Sequence, residues 1–330
     1  MKQLSTFLIC LLFALSSSAQ IRLPEIIADG MVLQRDVPLK IWGWASPKEE
    51  VTMTFKGETY HATTADDGRW LINLPAQEAG GAFQMDFKAS NEVSVKDILI
   101  GEVWLCSGQS NMELPIRRVL DLYADEVAQV DNNQIREFRV PKTYDFKVQR
   151  ENTSGAKWYH ANQQDIMEFS AVAYFFADEI NRKYNIPVGL INSALGGSPV
   201  ESWMAEEYLK PYEEAYAELQ KVKDDAYVQS VKDADAKTSY DWHVEMNAND
   251  EGLNKWSAKK LKDKDWKTVQ LPSKWHGTEL EKVNGAVWMR KTVKIPQSML
   301  GKEGMIELGC IVDADSVFIN GKFVGWTSYQ

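Results

Sequence analysis

Residues 98–106 read ILIGEVWLC, and the chain continues as SGQSNMEL through residue 114. The first segment is a nearly continuous apolar run with the length of a strand that is buried on both faces. A second such run, VGLINS at 188–193, follows a segment at 170–184 whose apolar and polar residues separate as on an amphipathic helix. A strand, a helix and a second parallel strand make a βαβ unit. This part of the chain is therefore predicted to be an α/β domain.

A different pattern precedes this domain, from Ile21 to Asp97. Short segments of alternating apolar and polar residues are separated by turn signals, and the Asp67-Gly68 pair between two of them indicates a hairpin turn. The alternation is clearest at Val51, Met53, Phe55, Trp70, Ile72 and Leu74. We therefore predict a small β-sandwich over residues 20–97.

Beyond Trp203 the chain becomes charged and helical through about Lys237, as an exposed helix or connector would be. Residues 98–240 are predicted to form the first part of the α/β domain, and residues 241–330 a second β-domain that is incomplete. The predicted strands of this second β-domain are 266–271, 287–295, 305–312, 317–319 and 323–325. The Asn320-Gly321 pair is typical of a hairpin between the last two.

Charge and leader composition limit the partners and the location of the protein. The sequence has 47 acidic and 37 basic side chains and a net charge of −10, which argues against nucleic acid or an anionic membrane surface as a partner. Residues 1–19 combine Lys2, an apolar run and small residues before Gln20, which predicts a secretory signal peptide and hence a periplasmic or secreted protein. No apolar run reaches the ~20 residues of a spanning helix, so we predict no membrane span.

Cysteine usage gives little sign of a metal site. Only Cys106 and Cys310 remain after the predicted leader, and they fall in different predicted domains. Two buried free thiols are the favoured interpretation, and a disulfide between them is the alternative. No Cys/His spacing typical of a zinc site occurs.

The loop after the first buried strand contains the candidate nucleophile, Ser110. Open α/β folds bind their ligands at the carboxyl ends of the strands, which is where this serine falls. Gly108 permits a sharp turn beside it, and the Ser110 amide could donate to a developing oxyanion. Serine in such a segment is also a common turn residue. Ser107 is the nearest rival, although its position suits it better to satisfying local backbone groups.

A second small-residue loop follows the strand at 188–193. Parallel strand order places Gly196-Gly197-Ser198 at the same sheet edge as the Ser110 loop. Two glycines let a backbone amide approach a ligand closely. A simple tight turn before Trp203 is the alternative, but two such loops at one edge together indicate a site.

Longer segments carry a recognisable pattern: LPEIIADGMVLQRDVPLKIWGWA at 23–45, WLCSGQSNME at 104–113, GLINSALGGSPVESW at 189–203, GAVWMRKTVKIP at 285–296 and DADSVFINGKFVG at 313–325. These segments resemble the sialate O-acetylesterases, a branch of the SGNH (GDSL-like) hydrolases. The resemblance implies an SGNH-type, flavodoxin-like α/β/α domain of three layers. It also implies a leading β-sandwich and an inserted β-domain of jelly-roll-like, galactose-binding-like type.

The same resemblance implies roles for individual residues. Ser110 matches the nucleophile, and the amides of Ser110 and of Gly196 or Gly197 match the oxyanion donors. Gln109 and Asn111 belong to the same motif and are candidate substrate-binding residues. The resemblance implies no metal site.

The family pattern also includes a Gly-Glu-Ser-Asn-like block with an oxyanion asparagine and an Asp-x-x-His block with the acid and base of the triad. The four histidines of this sequence do not complete the second block; they are His61, His160, His243 and His276. A serine needs an imidazole within ~2.6–3.2 Å to become a good nucleophile. We therefore expect the base and its acid beyond residue 330, and little or no esterase activity from these residues alone.

The implied function is a serine esterase that removes O-acetyl groups from sialic acids or related sugars through an acetyl-enzyme, without a cofactor. The same chemistry on another acetylated carbohydrate, such as xylan or pectin, is one alternative. A non-catalytic carbohydrate-binding protein is the other, because two β-domains and 12 tryptophans would suit that role.

Overall fold

A computed structural model describes residues 20–309, 311–312 and 314–327 of the chain. The predicted leader at 1–19 and Cys310 lie outside the described residues. The chain divides into two compact units, one ending at Lys223 and the other beginning at Asp224.

The first unit opens with a β-sandwich, as its alternating residues predict. Its strands are β1 (Val32–Gln34), β2 (Leu39–Trp44), β3 (Glu50–Phe55), β4 (Glu58–Thr63), β5 (Arg69–Leu74) and β6 (Gly80–Lys88). β3 pairs antiparallel with β4 and β6, while β2 and β5 form a separate antiparallel pair. The alternating residues of β3 and β5 are buried in one hydrophobic core between these sheets.

The predicted hairpin at Asp67-Gly68 is wrong. β5 pairs with β2, not with β4, so this turn passes from one sheet of the sandwich to the other. The reason lies in the backbone of the connection: Gly68 accepts a hydrogen bond from Ala45, and Thr64 accepts one from Lys48. These bonds tie the connection to the loop between β2 and β3.

One long strand links the sandwich to the domain that follows it. β7 (Glu92–Gly108, 17 residues) pairs with β6 through its first part and with β10 (Val188–Ala194) through its second. The predicted strand at 98–106 is the second part of β7, and the predicted boundary at residue 97 falls within this strand.

The second part of β7 belongs to a mixed sheet, which confirms the α/β class. β8 (Asn132–Arg139) and β7 flank β10, both parallel to it, and β9 (Lys157–Ala161) adds antiparallel to β8. The three-layer arrangement around this sheet stays a prediction.

Three helices accompany this sheet: α1 (Ser110–Glu113), α2 (Leu120–Val127) and α3 (Ala171–Tyr184). The predicted helix at 170–184 is confirmed, and Ser170 caps it by accepting the Ala173 amide at 3.3 Å. Apolar residues of α2 and α3 share a second buried core with β8 and β10. Before α2 the chain makes a short 3-10 turn at Ile116–Arg118, and α2 itself is kinked at Tyr123.

The charged segment after Trp203 is helical, as predicted. In the first unit it forms α4 (Glu206–Leu209) and α5 (Glu213–Val222). In the second unit it forms α6 (Asp225–Asn249), a helix of 25 residues that extends across the predicted boundary at residue 240. No helix among the described residues is long and apolar enough to cross a membrane.

The second unit contains one of the predicted hairpins. β11 (Asp315–Ile319) and β12 (Lys322–Thr327) pair antiparallel, and Asn320 and Gly321 have φ values of 51° and 85°, as the turn requires. The strands predicted at 266–271, 287–295 and 305–312 are not formed among the described residues of these segments. A strand needs a neighbour for its backbone hydrogen bonds, and apolar alternation does not provide one. The jelly-roll-like form of this domain stays a prediction.

Candidate active site

Ser110 stands just past the carboxyl end of β7. Gly108 ends the strand with φ +128°, Gln109 is extended, and α1 begins at Ser110. Ser110 is exposed, and its hydroxyl makes no hydrogen bond with any described residue. Ser107 is still within the sheet, in register with Ser193 of β10. This difference favours Ser110 over Ser107 as the nucleophile.

The loop after β10 lies at the same edge, as the parallel order predicts. Ala194 is in register with Gly108, and the Leu195 amide donates to the Gly108 carbonyl at 2.9 Å. A Cβ atom on Gly196 would lie 3.3 Å from the Ser110 Oγ. The structure therefore brings the two predicted loops together around the Ser110 hydroxyl.

The predicted substrate-binding residues differ in their surroundings. The Gln109 side chain donates to the Ser198 carbonyl at 2.8 Å, so it bridges the two loops. Ser198 is itself buried, and its hydroxyl donates to Leu195 at 2.6 Å and accepts from Trp203 at 3.0 Å. The Asn111 side chain is exposed on α1 and makes no hydrogen bond with the described residues. Of the two, Asn111 is the more accessible to a ligand.

The predicted oxyanion donors are also not equivalent. The Gly196 amide already donates to the carboxylate of Glu113, whose other oxygen binds the Lys142 ammonium. The amides of Ser110 and Gly197 have no partner among the described residues. Both of these amides are therefore available to a ligand, and the Gly196 amide is not.

A buried polar cluster below the site was not anticipated from the sequence. Glu137 of β8 is completely buried; it accepts from the Asn192 side chain at 2.7 Å and from the Ser170 amide at 3.1 Å, and it pairs with Arg139 at 3.0 Å. The signal available in the sequence was the acidic Glu137 close to Ile135 and Phe138 in the same strand. Burial, with the Glu137 charge, raises the pKa of the Cys106 thiol to about 11, which makes it a poor nucleophile.

His160 has its partners at the end of the sheet opposite to Ser110. It is in register with Arg136, and its Nε2 lies 3.5 Å from an oxygen of Asp97. The register places His160 at the level of Val103, about 16 Å along the sheet from Gly108. Burial and the Arg136 charge lower the pKa of His160. It is therefore no base for Ser110 in this structure.

The other histidines have local partners. His61 of β4 is exposed and contacts Thr52 at 3.2 Å and Glu50 at 3.1 Å. In the second unit, the Nδ1 atoms of His243 and His276 lie 2.7 Å from the Ser239 carbonyl and 2.8 Å from Glu281. No group of three or more His, Cys, Asp or Glu residues that could hold a metal occurs in the part of the chain that the structure describes.

Known proteins match this region. Residues 100–247, which contain both loops, match the family described as carbohydrate esterase, sialic acid-specific acetylesterase. The sialate O-acetylesterase of Homo sapiens is 26% identical over 213 residues, which are 59% of this chain and 41% of the human protein. Residues 100–247 are thus similar to the sialate O-acetylesterase family. The resemblance of the sequence motifs is thereby confirmed.

A solved structure supports the fold. The crystal structure of a novel carbohydrate acetylesterase from Xanthomonas citri is 38% identical with a TM-score of 0.56, and the match covers 58% of this chain and 43% of that one. The sialate O-acetylesterase of Pongo abelii is 26% identical over 59% of this chain and 41% of its own length. The chain thus spans less than half the length of these relatives.

Proposed function

We propose that the protein hydrolyses acetyl esters of carbohydrates, with Ser110 as the nucleophile. The observation that carries this proposal is the exposed Ser110 hydroxyl, which stands past the end of β7 and against the Gly196 loop at a sheet edge. The match of residues 100–247 to a family of carbohydrate esterases supports the reaction type.

The proposed reaction proceeds through an acetyl-enzyme. The Ser110 oxygen attacks the acetyl carbonyl while its proton passes to a base, and the resulting oxyanion accepts hydrogen bonds from the Ser110 and Gly197 amides. The bond between the acetyl carbonyl carbon and the sugar oxygen then breaks, and the sugar oxygen takes the proton from the base. Water attacks the acetyl-serine in the second half, releasing acetate and restoring the hydroxyl.

We propose that the base is a histidine oriented by an aspartate, and that it is neither His61 nor His160. His61 and His160 have other partners in the first unit, and this chain covers only 41% of the human relative.

The proposed substrates are O-acetylated sialic acids, on the strength of the family match. Acetylated xylan or pectin is the second candidate, because the similar structure from Xanthomonas citri is of a carbohydrate acetylesterase without a named sugar. Residues 1–19 are proposed to export the protein to the periplasm or beyond the cell. No cofactor takes part in the proposed reaction.

The test is acetate release by the full-length protein from O-acetylated sialic acid, acetylated xylan, acetylated pectin and an aryl acetate. Ser110→Ala is expected to lower kcat by about 10³-fold or more, since the nucleophile is lost. Ser107→Ala is the matched control and should remain near wild type. Full activity of Ser110→Ala would refute the nucleophile, and wild-type protein inactive on all four substrates would favour a carbohydrate-binding role instead.

A further inference from the structure

Glu113 is a charged residue of the site to which neither the motif nor the proposed reaction gives a role. It lies one helical turn after Ser110 on α1, and residues at this spacing share a face of the helix. Its side chain is partly buried, with an exposed fraction of 25%. A carboxylate this close to the nucleophile is notable, because its negative charge opposes the formation of an oxyanion.

Both oxygens of this carboxylate are engaged. Oε2 accepts a hydrogen bond from the Gly196 amide, and Oε1 binds the Nζ atom of Lys142. Glu113 therefore connects α1 with the loop after β10 and with the segment after β8. Lys142 neutralises the carboxylate, so the negative charge beside Ser110 is compensated within the protein.

The contact between Glu113 and Gly196 lies directly beside the nucleophile. A Cβ atom on Gly196 would be 2.7 Å from the Glu113 Oε2 and 3.3 Å from the Ser110 Oγ. A glycine at this position lets the loop come close enough for the Gly196 amide to reach the carboxylate. Gly197, with φ +78°, follows at once, and its amide has no partner among the described residues.

We propose that Glu113 is a positioning residue for the ester hydrolysis, an inference that rests on the proposed function. Its carboxylate, compensated by Lys142, holds the loop of Gly196 and Gly197 against the helix that begins with Ser110. The Gly196 amide is reserved for this contact, and the Gly197 amide is the one that faces the oxyanion.

The opposite role would be a block: a carboxylate that occupies the Gly196 amide until the substrate displaces it. The Lys142 contact argues against this role, because displacement would also separate an ion pair. The two roles predict opposite signs when the carboxylate is removed. Activity falls if Glu113 positions the loop, and it rises if Glu113 blocks the amide.

The experiment measures kcat and KM of the full-length protein on an aryl acetate. Glu113→Ala is expected to lower kcat by about 10- to 100-fold with little change in KM, since a loop displaced by about 1 Å costs this much. Glu113→Gln should stay within about threefold of wild type, because its amide oxygen still accepts from Gly196. The matched control is Glu126→Ala, which removes an exposed carboxylate of α2.

A double-mutant cycle tests the compensating charge. Lys142→Met should lower kcat in the wild-type background, where it leaves a bare carboxylate beside the oxyanion, and have little effect in the Glu113→Gln background. This cycle remains informative if Glu113→Ala fails to fold, which thermal unfolding would reveal.

The outcomes separate this inference from the proposed function. Active wild type, inactive Ser110→Ala and an unchanged or faster Glu113→Ala would overturn the role of Glu113 alone. A Glu113→Gln variant that is folded but as slow as Glu113→Ala would also overturn it. Wild type without turnover of any acetyl ester would overturn the proposed function, and the role of Glu113 with it.

Discussion

The two faces of β8 carry two buried polar clusters that differ in what they hold together, because the neighbouring residues Arg136 and Glu137 point to opposite sides of the strand. On one face, Glu137 binds Arg139 and the Asn192 side chain of the strand that leads to the loop of Gly196. On the other face, Arg136 donates to the Gly30 carbonyl at 2.9 Å and to the Asp97 carboxylate at 2.8 Å. The first cluster supports the candidate site, and the second joins the sheet to the sandwich.

The second cluster also fixes an unusual backbone position. Asp97 has φ +57°, and the pairing of β7 with β6 changes register between Val95 and Ile98. A non-glycine residue in this conformation needs support from its surroundings. The Arg136 side chain supplies it by binding both the carbonyl and the carboxylate of Asp97. His160, whose Nε2 lies 3.5 Å from an oxygen of Asp97, belongs to this second cluster. Its surroundings therefore indicate a structural role.

The largest effect is expected from breaking the Glu137 cluster. Glu137→Ala leaves the Ser170 amide, the Asn192 side chain and Arg139 without their buried acceptor, which should cost about 3–5 kcal/mol of the free energy of unfolding. Because Asn192 lies in the strand that leads to Gly196, kcat should fall by about 10- to 100-fold as well.

Urea unfolding and acetyl ester hydrolysis measure these two effects of Glu137→Ala. The control is Glu168→Ala, which removes an ion pair with Arg117 in which each side chain is 52% exposed. Such a pair contributes about 0–1 kcal/mol. If Glu137→Ala were no less stable than the control, the buried cluster would not support the site.

A smaller effect, limited to stability, is expected from the Arg136 cluster on the other face of β8. Arg136→Met removes the donor for Gly30, Asn133 and Asp97, which should cost about 2–4 kcal/mol of the free energy of unfolding, because the freed Asp97 carboxylate is partly exposed to water. The kcat of the folded fraction should stay at the wild-type value. A loss of kcat comparable to that of Glu137→Ala would remove the distinction between the two clusters.

The smallest effect concerns His160 and the dependence of stability on pH. Burial and the Arg136 charge lower its pKa in the folded state, opposed by Asp97 and Asp165. The unfolded chain therefore binds the proton more readily, and the contribution of His160 is present above about pH 6.5 and lost as the pH falls below that value.

Replacing His160 by Gln should reduce this acid sensitivity and leave esterase activity unchanged. Urea unfolding at pH 8 and at pH 5 gives the loss in the free energy of unfolding on acidification. This loss should be smaller in His160→Gln than in wild type. Loss of esterase activity in His160→Gln would contradict the assignment and make this histidine a participant in the reaction.

Local patterns in the sequence were sufficient for much of the fold. The strands around Val51, Ile72 and Leu190 and the helix after Ser170 are present because alternation, helical periodicity and a capping serine each act within a few residues. The pairing of β5 with β2 was missed because it depends on backbone bonds to a distant loop. The strands expected at 266–271 and 287–295 were wrong because pairing partners are not a local property.

The candidate site shows the same division. The meeting of the Ser110 and Gly196 loops followed from parallel strand order, which the sequence indicates. The engagement of the Gly196 amide by Glu113 did not, because it depends on where one long side chain points. Glu137 was missed for a related reason: a charged residue in a strand is normally exposed, and only the arrangement of Asn192 and Ser170 around it allows its burial.

Because β7 is shared, the sandwich and the candidate site are parts of one cooperative structure. Amide hydrogens along β7 should exchange with solvent at similar slow rates on both sides of Asp97. The reason is that breaking the hydrogen bonds of β7 with β6 should also destabilise its hydrogen bonds with β10. A ligand bound at Ser110 would then slow exchange in the sandwich as well. A cut at residue 97 would divide a strand, and neither fragment would keep a complete sheet.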